Sequence, residues 1–480
     1  MDRMSPLDAS FLHIENDVNH MHIGSVGIFE GPAPTYGDFA DLVAGKLPLV
    51  PRYRQKVRFV PFDLGRPVWV DDSHFNLGYH LRHTALPPPG GDQELRNLVG
   101  RLMAQQLDRT KPLWEMWMVE GLQDGHWALV SKVHHSMVDG VSGSDLLAVM
   151  LDAEREPPRP TLDTWRPEPE PSDVRLIAEA LGDLVANPYE QFRAMRAAAR
   201  GWRQFGGMFA EAARGVASLA GLVRPTAESS LNGPIGPHRR WDWARTTLAD
   251  VKRVRSALGG TVNDVVLTVL TRGFRDLIMA RDESPDGRAV RTLVPVSVRM
   301  PDERGVYNNR VSAMFAELPI GITDPAERLG SIRKQMDGLK ESKQAVAGEV
   351  LTSLSGFAPA LLLAVGTRVA FRIPQRNVNT VTTNVPGPQQ PLYACGRQML
   401  EAFPFVPIAG HLRIGVAIFS YNGMLNFGVT GDYDTAPDIG VLCRGVEDGM
   451  AELLKLSGDT GAPDDGASGE GPAANGSARD

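Results

Sequence analysis

"WEMWMVEGLQDGHWALVSKVHHSMVDG", Trp114 to Gly140, decides the fold class and holds the best candidate for chemistry. Two runs rich in Trp, Val, Met and Leu flank Gln123-Asp124-Gly125, and an Asp-Gly pair between such runs signals a β-hairpin. If the second run keeps a strand's period of two, Trp127, Leu129, Ser131, Val133 and His135 share one face, and Ala128, Val130, Lys132 and His134 the other. The two adjacent histidines are then expected to point apart. After Gly140, "VSGSDLLAVMLD" has helical spacing with Ser142 or Ser144 as its cap, so the motif sits on a strand-to-helix connection.

Histidines on opposite faces of a strand do not converge on one ion, no Cys or Glu follows at ligand spacing, and His-Glu-x-x-His is absent. No metal is expected. A packed core imidazole is the plainer alternative to a base. In a cleft, however, an imidazole of pKa about 6.5 is neutral at cell pH and accepts a proton from a hydroxyl. His135 takes that role. Asp139 locks the loop through charge-assisted hydrogen bonds, and Gly140 permits the sharp turn into the next helix. No Gly-x-Ser-x-Gly elbow occurs, so direct transfer to an activated hydroxyl fits better than an acyl-enzyme on serine.

The chain has 480 residues, too many for one core, so two domains with a cleft between them are expected. Charged residues at 22% and hydrophobic ones at 42% fit a soluble globular protein. Net charge is −7, of which Ser457–Asp480 carries −4, and a body at −3 excludes nucleic-acid binding through a positive field. Cys395 and Cys443 read as buried thiols in a reducing compartment. The first residues reach Asp8 and Glu15 without an apolar h-region, so a cytoplasmic location is expected. The most apolar window, Val350 to Gly366, contains Pro359 and serines and reads as a packed or interfacial helix.

Proline-rich Arg155–Asp173 sustains neither helix nor central strand. Helix-favouring sequence follows from Val174 to Leu222, broken at Asn187-Pro188, and then the Gly/Pro segment Ser229–Arg240. The division is therefore 1–154 as a first domain, 155–240 as a connector, 241–456 as a second domain, and 457–480 as a disordered acidic tail. The second half alternates "TLADVKRVRSAL", "TVNDVVLTVLTRGFRDLIMAR" and the extended "RTLVPVSVR". In its middle helix Val262, Val266, Val269, Gly273 and Leu277 mark one buried face. Such alternation in both halves argues for two mixed α/β domains side by side.

"HHSMVDG" (His134–Gly140) resembles the active-site motif of the acyl-CoA-dependent acyltransferase superfamily, which includes chloramphenicol acetyltransferase and peptide-synthetase condensation domains. "MSPLDASFLHIENDVNHMHIGSVGIFEG", "RTKPLWEMWMVEGL", "SLNGPIGPHRR", "TVNDVVLTVL", "LVPVSVR", "NNRVSAMFAELP" and "TTNVPGP" are similar to the bacterial wax ester synthase/diacylglycerol acyltransferase family, over about residues 1 to 456. The resemblance implies two chloramphenicol-acetyltransferase-like domains with a tunnel at their interface. It also implies transfer of a fatty acyl group from acyl-CoA to a diacylglycerol or a long-chain alcohol, with acyl-CoA as co-substrate and no cofactor. His135 resembles the family's catalytic base, His134 its motif partner, and Asp139 and Gly140 its structural pair. Pro112, Leu113 and Trp114 match the Pro-Leu-Trp stretch, Asn263 and Asp264 the Asn-Asp pair, and Thr383, Asn384, Pro386 and Gly387 the late-chain loop.

Each of these has a plainer reading. Trp114 is a core aromatic or lines the acyl tunnel. Asn263 is a helix cap or orients substrate. "TTNVPGP" is a turn, and Asn384 or nearby N–H groups approach the thioester oxygen in the functional version. Between Phe192 and Phe209, Phe192, Met195, Ala199, Trp202 and Phe209 form an apolar stripe beside Arg196, Arg200 and Arg203. That pattern fits a helix at a membrane or lipid-droplet surface, or one packed on the body. The rival functions are an acyltransferase for a polyketide or glycolipid hydroxyl, and a catalytically silent lipid-binding protein.

Overall fold

The hairpin forms as expected. Trp114–Glu120 and Trp127–His134 pair antiparallel with Trp114 opposite Val133, and Asp124 and Gly125 in the turn have φ of 60° and 70°. The structure is a computed structural model that describes residues 2–137, 150–156, 163–186, 229–297, 311–341 and 378–459. Asp139, Gly140, Ser142, Ser144, the Phe192–Phe209 stripe, the Val350–Gly366 window and residues 460–480 lie outside them.

The first half runs β1 (Asp2–Arg3), α1 (Pro6–Ile14), β2 (His22–Phe29), α2 (Tyr36–Lys46), β3 (Gln55–Arg58), β4 (Val68–Asp71), α3 (Leu77–His80), β5 (Leu81–Ala85), α4 (Asp92–Met103), β6 (Trp114–Glu120) and β7 (Trp127–His134). A 3-10 turn, His135–Met137, follows β7, and α5 (Asp173–Ala186) lies in the connector. The second half runs β8 (Arg239–Thr247), α6 (Leu248–Leu258), α7 (Val262–Ala280), β9 (Val290–Ser297), β10 (Val311–Leu318), α8 (Pro325–Glu341), β11 (Thr380–Pro386), β12 (Tyr393–Ala394), β13 (Arg397–Phe405), β14 (Ile414–Tyr421), β15 (Met424–Asp432) and α9 (Ile439–Asp459).

Two mixed six-stranded sheets result, in the orders β12-β13-β2-β7-β6-β5 and β10-β9-β11-β14-β15-β8, with a small sheet β1-β4-β3 beside the first. Every residue of β7 is buried. Trp127, Leu129 and Val133 enter one core and Ala128 and Val130 another, as the period of two requires. His135 departs from the expectation, since the strand ends at His134 and His135 opens the turn.

The division by halves also needs correction. β12 and β13 come from the second half but complete the first sheet, with β13 antiparallel to β2 from Met399 opposite Phe29 to Phe405 opposite Gly24. Their alternation reads as strand but carries no information on which sheet they join. Phe403 and Phe405 pack with Trp241 and Trp243 of β8 and with Leu95, Leu98 and Leu102 of α4. Trp243 stacks on Phe403 at 4.6 Å, and the Tyr421 hydroxyl donates to Met399 O (3.0 Å) while accepting from Leu392 N–H (2.8 Å).

The connector is partly docked rather than loose. The Arg54 guanidinium binds Asp163, Lys56 Nζ lies 3.0 Å from Glu170, and Leu176 and Ala180 of α5 pack on Val60, Val68 and Val70. Within Ser229–Arg240, Leu231 belongs to the second core, and the Asn232 amide donates to Val378 O at 2.8 Å. β8 already begins at Arg239, and α9 continues to Asp459, past Leu456. Helix α7 buries Val266, Val269, Gly273 and Leu277 as expected, with Val262 half-buried. It also buries Val265, Leu267, Leu270, Phe274 and Ile278, because α6, α8 and α9 all pack against it. Cys443 is buried, but Cys395 is only half-buried, in the two-residue turn between β12 and β13, and both are free thiols.

Gly428 marks the closest approach of β15 to β13. A Cβ there would lie 1.8 Å from Pro404 O, a backbone atom that cannot step aside. Gly428→Ala is expected to destabilise the protein by about 3 kcal/mol or more. Gly182→Ala, on an exposed turn of α5 with open space at its Cβ, should instead stabilise by about 0.5–1 kcal/mol. Urea denaturation midpoints of the two variants check the contrast.

Candidate active site

Helix α1 starts at a cap in which Ser5 Oγ accepts the Asp8 N–H at 3.1 Å, and it ends where the Glu15 N–H donates to Phe11 O at 3.1 Å. Phe11 and Glu15 are therefore one turn apart at the helix end. Beside them β2 and β7 place His22 directly opposite His134, with ring centroids 6.0 Å apart. The His134 N–H donates to Leu113 O at 2.9 Å and the His135 N–H to Met21 O at 2.8 Å. The turn that follows β7 is thus tied to both its neighbours.

Glu15 is the centre of a buried polar cluster, its side chain 2% exposed. Oε1 lies 3.2 Å from His22 Nε2, Oε2 lies 3.5 Å from His134 Nε2, and Arg109 donates to Oε2 from Nε at 2.9 Å and Nη2 at 2.6 Å. Burial alone would raise the Glu15 carboxyl. Hydrogen bonding and charge from His134, then His22, outweigh it and hold the carboxyl far below the usual carboxylate range. Burial pushes His22 down to about 3, against the pull of Glu15. On the other end of the His134 ring, Nδ1 accepts the Ser136 N–H at 3.1 Å and lies 2.7 Å from Ser136 Oγ. An Nδ1 that accepts leaves the proton on Nε2, toward Glu15.

His135 has different surroundings. Its ring stacks on Phe11 with centroids 4.0 Å apart, the residue is half-buried, and its Nδ1 is buried without a hydrogen-bond partner. Burial, then the nearby His134, pushes the imidazole down to about 4 against the pull of its own backbone. It is therefore neutral across the physiological range. Lys132, 1% exposed, donates from Nζ to Leu102 O at 3.0 Å and to Gln105 O, closing the C-terminal end of α4, and burial lowers it to about 8. The halves meet at this end of the sheet, where Arg239 donates to Val18 O and the Gly410 N–H to Asn19 Oδ1 at 2.9 Å.

Of the residues singled out from sequence, His134, His135, Leu113 and Trp114 come together. Trp114 is a core aromatic. Tyr53 and His80 stack on it at 4.6 and 4.5 Å, and its Nε1–H donates to Tyr53 O at 2.8 Å, so no ring face is left for an acyl chain. Pro112 is buried, and its carbonyl accepts the Trp114 N–H at 2.9 Å. Asn263 is not the cap of α7. Thr261 is, in a capping box where Thr261 Oγ1 accepts the Asp264 N–H (3.2 Å) and the Thr261 N–H donates to Asp264 Oδ2 (2.7 Å). Thr-x-x-Asp was the signal for it. Nor is "TTNVPGP" all turn: Thr383, Asn384 and Pro386 lie in β11, which runs parallel to β14 between it and β9, and the turn starts at Gly387. Val385 packs on the core that includes Val133 and Met137. Among the described residues no hydrogen bond or ion pair joins His135 to Asn263, Asp264, Thr383 or Asn384, and no group of three His, Cys, Asp or Glu is placed to hold a metal ion.

Sequence reasoning did not single out Phe11, Glu15, His22, Arg109 or Ser136. The alternating histidines of "NHMHIG" at a strand start were a signal for His22. Nothing in the spacing joins Glu15 to Arg109.

Residues 4–266 match the wax ester synthase/diacylglycerol acyltransferase catalytic domain and residues 307–454 the WS/DGAT C-terminal domain. "Probable diacyglycerol O-acyltransferase tgs1" of Mycobacterium tuberculosis is 39% identical over 459 residues, spanning 95% of this chain and 96% of its own length. The solved wax ester synthase/diacylglycerol acyltransferase from Marinobacter aquaeolei VT8 superposes with a TM-score of 0.67 at 27% identity, covering 95% of this chain and 100% of that one. The starter condensation domain of rhizomide synthetase, solved in complex with C8-CoA, shares the fold at a TM-score of 0.54 and 12% identity, covering 96% and 95%. The chain belongs to the wax ester synthase/diacylglycerol acyltransferase family, and it is an acyltransferase that uses acyl-CoA.

The depressed values fix a pH dependence. Folded His135 and His22 titrate below the about 6.5 of an unfolded histidine, so their neutral forms contribute stability that is full above about pH 6.5 and lost as pH falls toward about 4 and about 3. Glu15, also depressed, adds a contribution that starts to be lost only below its ordinary range. If His135 acts as a base, the kcat/KM profile is expected to stay flat from about pH 8 to about pH 5, without the inflection near 6.5 of a solvated imidazole. An inflection there would show that His135 is exposed to water.

Proposed function

We propose that the enzyme moves a fatty acyl group from acyl-CoA to the hydroxyl of a diacylglycerol, and to long-chain alcohols, with His135 as general base. The observation that carries this is the half-buried His135, held neutral against Phe11 at the junction of the two halves, in a family whose members carry these activities in their names. With Nδ1 buried, Nε2 is the nitrogen that accepts the acceptor's proton. The acceptor oxygen attacks the thioester carbonyl, the tetrahedral intermediate collapses with cleavage of the C–S bond, and the imidazolium returns its proton to the departing thiolate. The products are the ester and free CoA. In this reading the lipid chains reach His135 through the tunnel between the halves that the family resemblance implies. No cofactor takes part.

Free CoA and lipid products, followed with palmitoyl-CoA and either a diacylglycerol or hexadecanol, test this directly. His135→Ala is expected to lose about 10²- to 10⁴-fold in kcat. A folded variant with near-normal turnover would refute the base assignment, and failure of both acceptors in the parent enzyme would favour another hydroxyl.

We also propose peripheral contact with a lipid surface. Among the described residues no helix is long and apolar enough to cross a membrane. Between β3 and β4, however, Phe59, Phe62 and Leu64 are exposed, Phe62 by 83% and with a φ of 60° that a bulky residue rarely adopts. On α5, packed against the base of that loop, Val174 (77%) and Leu181 (47%) are exposed one heptad apart on one face. Such a rigid apolar tip suits an acyl boundary. Phe62→Asp combined with Leu181→Glu should reduce liposome flotation by about tenfold or more. Flotation that does not change would remove this surface from contention.

A further inference from the structure

We infer that Glu15 is a positioning residue of this acyltransferase, acting through His134 to fix the turn that carries His135. The inference rests on His135 as the base and adds the device that holds it. At 2% exposure Glu15 does not meet substrate, so any influence it has passes through its neighbours. One path is continuous. Glu15 Oε2 faces His134 Nε2 at 3.5 Å, and His134 Nδ1 accepts the Ser136 N–H at 3.1 Å in the middle of the His135–Met137 turn. The His134 ring therefore spans from the carboxylate to the backbone of the catalytic turn.

The carboxylate is itself immobilised. Arg109 grips Oε2 through two nitrogens and also donates to Leu12 O at 3.2 Å, while His22 flanks Oε1 at 3.2 Å. Glu15 also ends the helix whose Phe11, one turn back, supplies the ring beneath His135. The charge has a further consequence for the tautomer. Facing a carboxylate, His134 keeps its proton on Nε2 and leaves Nδ1 free to accept from Ser136. Without the charge the other tautomer becomes available, and its Nδ1–H would oppose the Ser136 N–H.

A double-mutant cycle with Glu15→Gln and His134→Ala tests this, reading kcat and the KM for palmitoyl-CoA in folded protein. Each single change is expected to lower kcat by about 10- to 100-fold with little change in KM, the loss that a small misplacement of a catalytic group produces. Because both act through one ring, the double variant should be little worse than the worse single one. Losses that multiply, or an unchanged kcat in a variant that only unfolds more easily, would overturn the inference. If Glu15→Gln does not fold, Arg109→Gln replaces it in the same cycle and reads the carboxylate from its other side. His135→Ala, assayed in parallel, separates the two failures. Retained turnover in it removes the base and this role together, whereas an inactive His135→Ala with multiplying losses removes only the role of Glu15.

Discussion

The pairing of β13 with β2 is the constraint on which the rest of the architecture depends. These strands belong to opposite ends of the chain, yet Phe405 lies opposite Gly24, two residues from His22. Closing so long a loop costs only slightly more than closing a shorter one, because the entropy of closure grows with the logarithm of length. The cost is offset by burying Phe403 and Phe405 against two tryptophans of β8 and the apolar face of α4. Once β13 is in place, Arg239 and Gly410 reach Val18 and Asn19. The start of β2, next to the turn that carries the two histidines, then becomes a place where the two halves meet.

At that place the structure divides two adjacent histidines between opposite electrostatic surroundings. Burial against an apolar neighbour disfavours the charged form of an imidazole. The carboxylate goes to His134 and the phenyl ring to His135. The proposed base, His135, has to be neutral to accept a proton, and it is the one left without a carboxylate beside it. Burying Glu15 costs on the order of several kcal/mol before its contacts are counted. Arg109, His22 and His134 supply opposite charge or donors from three directions, and the return on that arrangement is a single geometry.

Local features were largely legible in the sequence. The hairpin, its turn, helices α6 and α7 and the mixed α/β class follow from period and punctuation, and the motif stretches identify the family. What was not legible is long-range pairing. A strand pattern in residues 397–405 says nothing about joining β2, and so the halves looked more separate than they are. The same limit hid the polar cluster: Glu15 reads as the end of an apolar helix, and Arg109 as one basic residue among many, until folding brings them within 2.6 Å. Asn263 was misassigned for a different reason. The Thr-x-x-Asp box two residues earlier is a local signal, and a family motif drew attention past it.

The hydroxyl next to the proposed base in sequence is Ser136, and its contacts decide whether an acyl-enzyme is an alternative to direct transfer. Ser136, His134 and Glu15 form a hydroxyl–imidazole–carboxylate line that resembles a nucleophile triad in outline. The details oppose that role. Ser136 is fully buried, its Oγ shares His134 Nδ1 with its own backbone N–H, and an imidazole nitrogen that already accepts a backbone N–H is poorly placed to take a further proton. In the serine enzymes the nucleophile is open to substrate and the imidazole nitrogen beside it is free. Here the line is closed at both ends, which makes it a strut. The half-buried imidazole of His135 is the one that the proposed direct transfer would use.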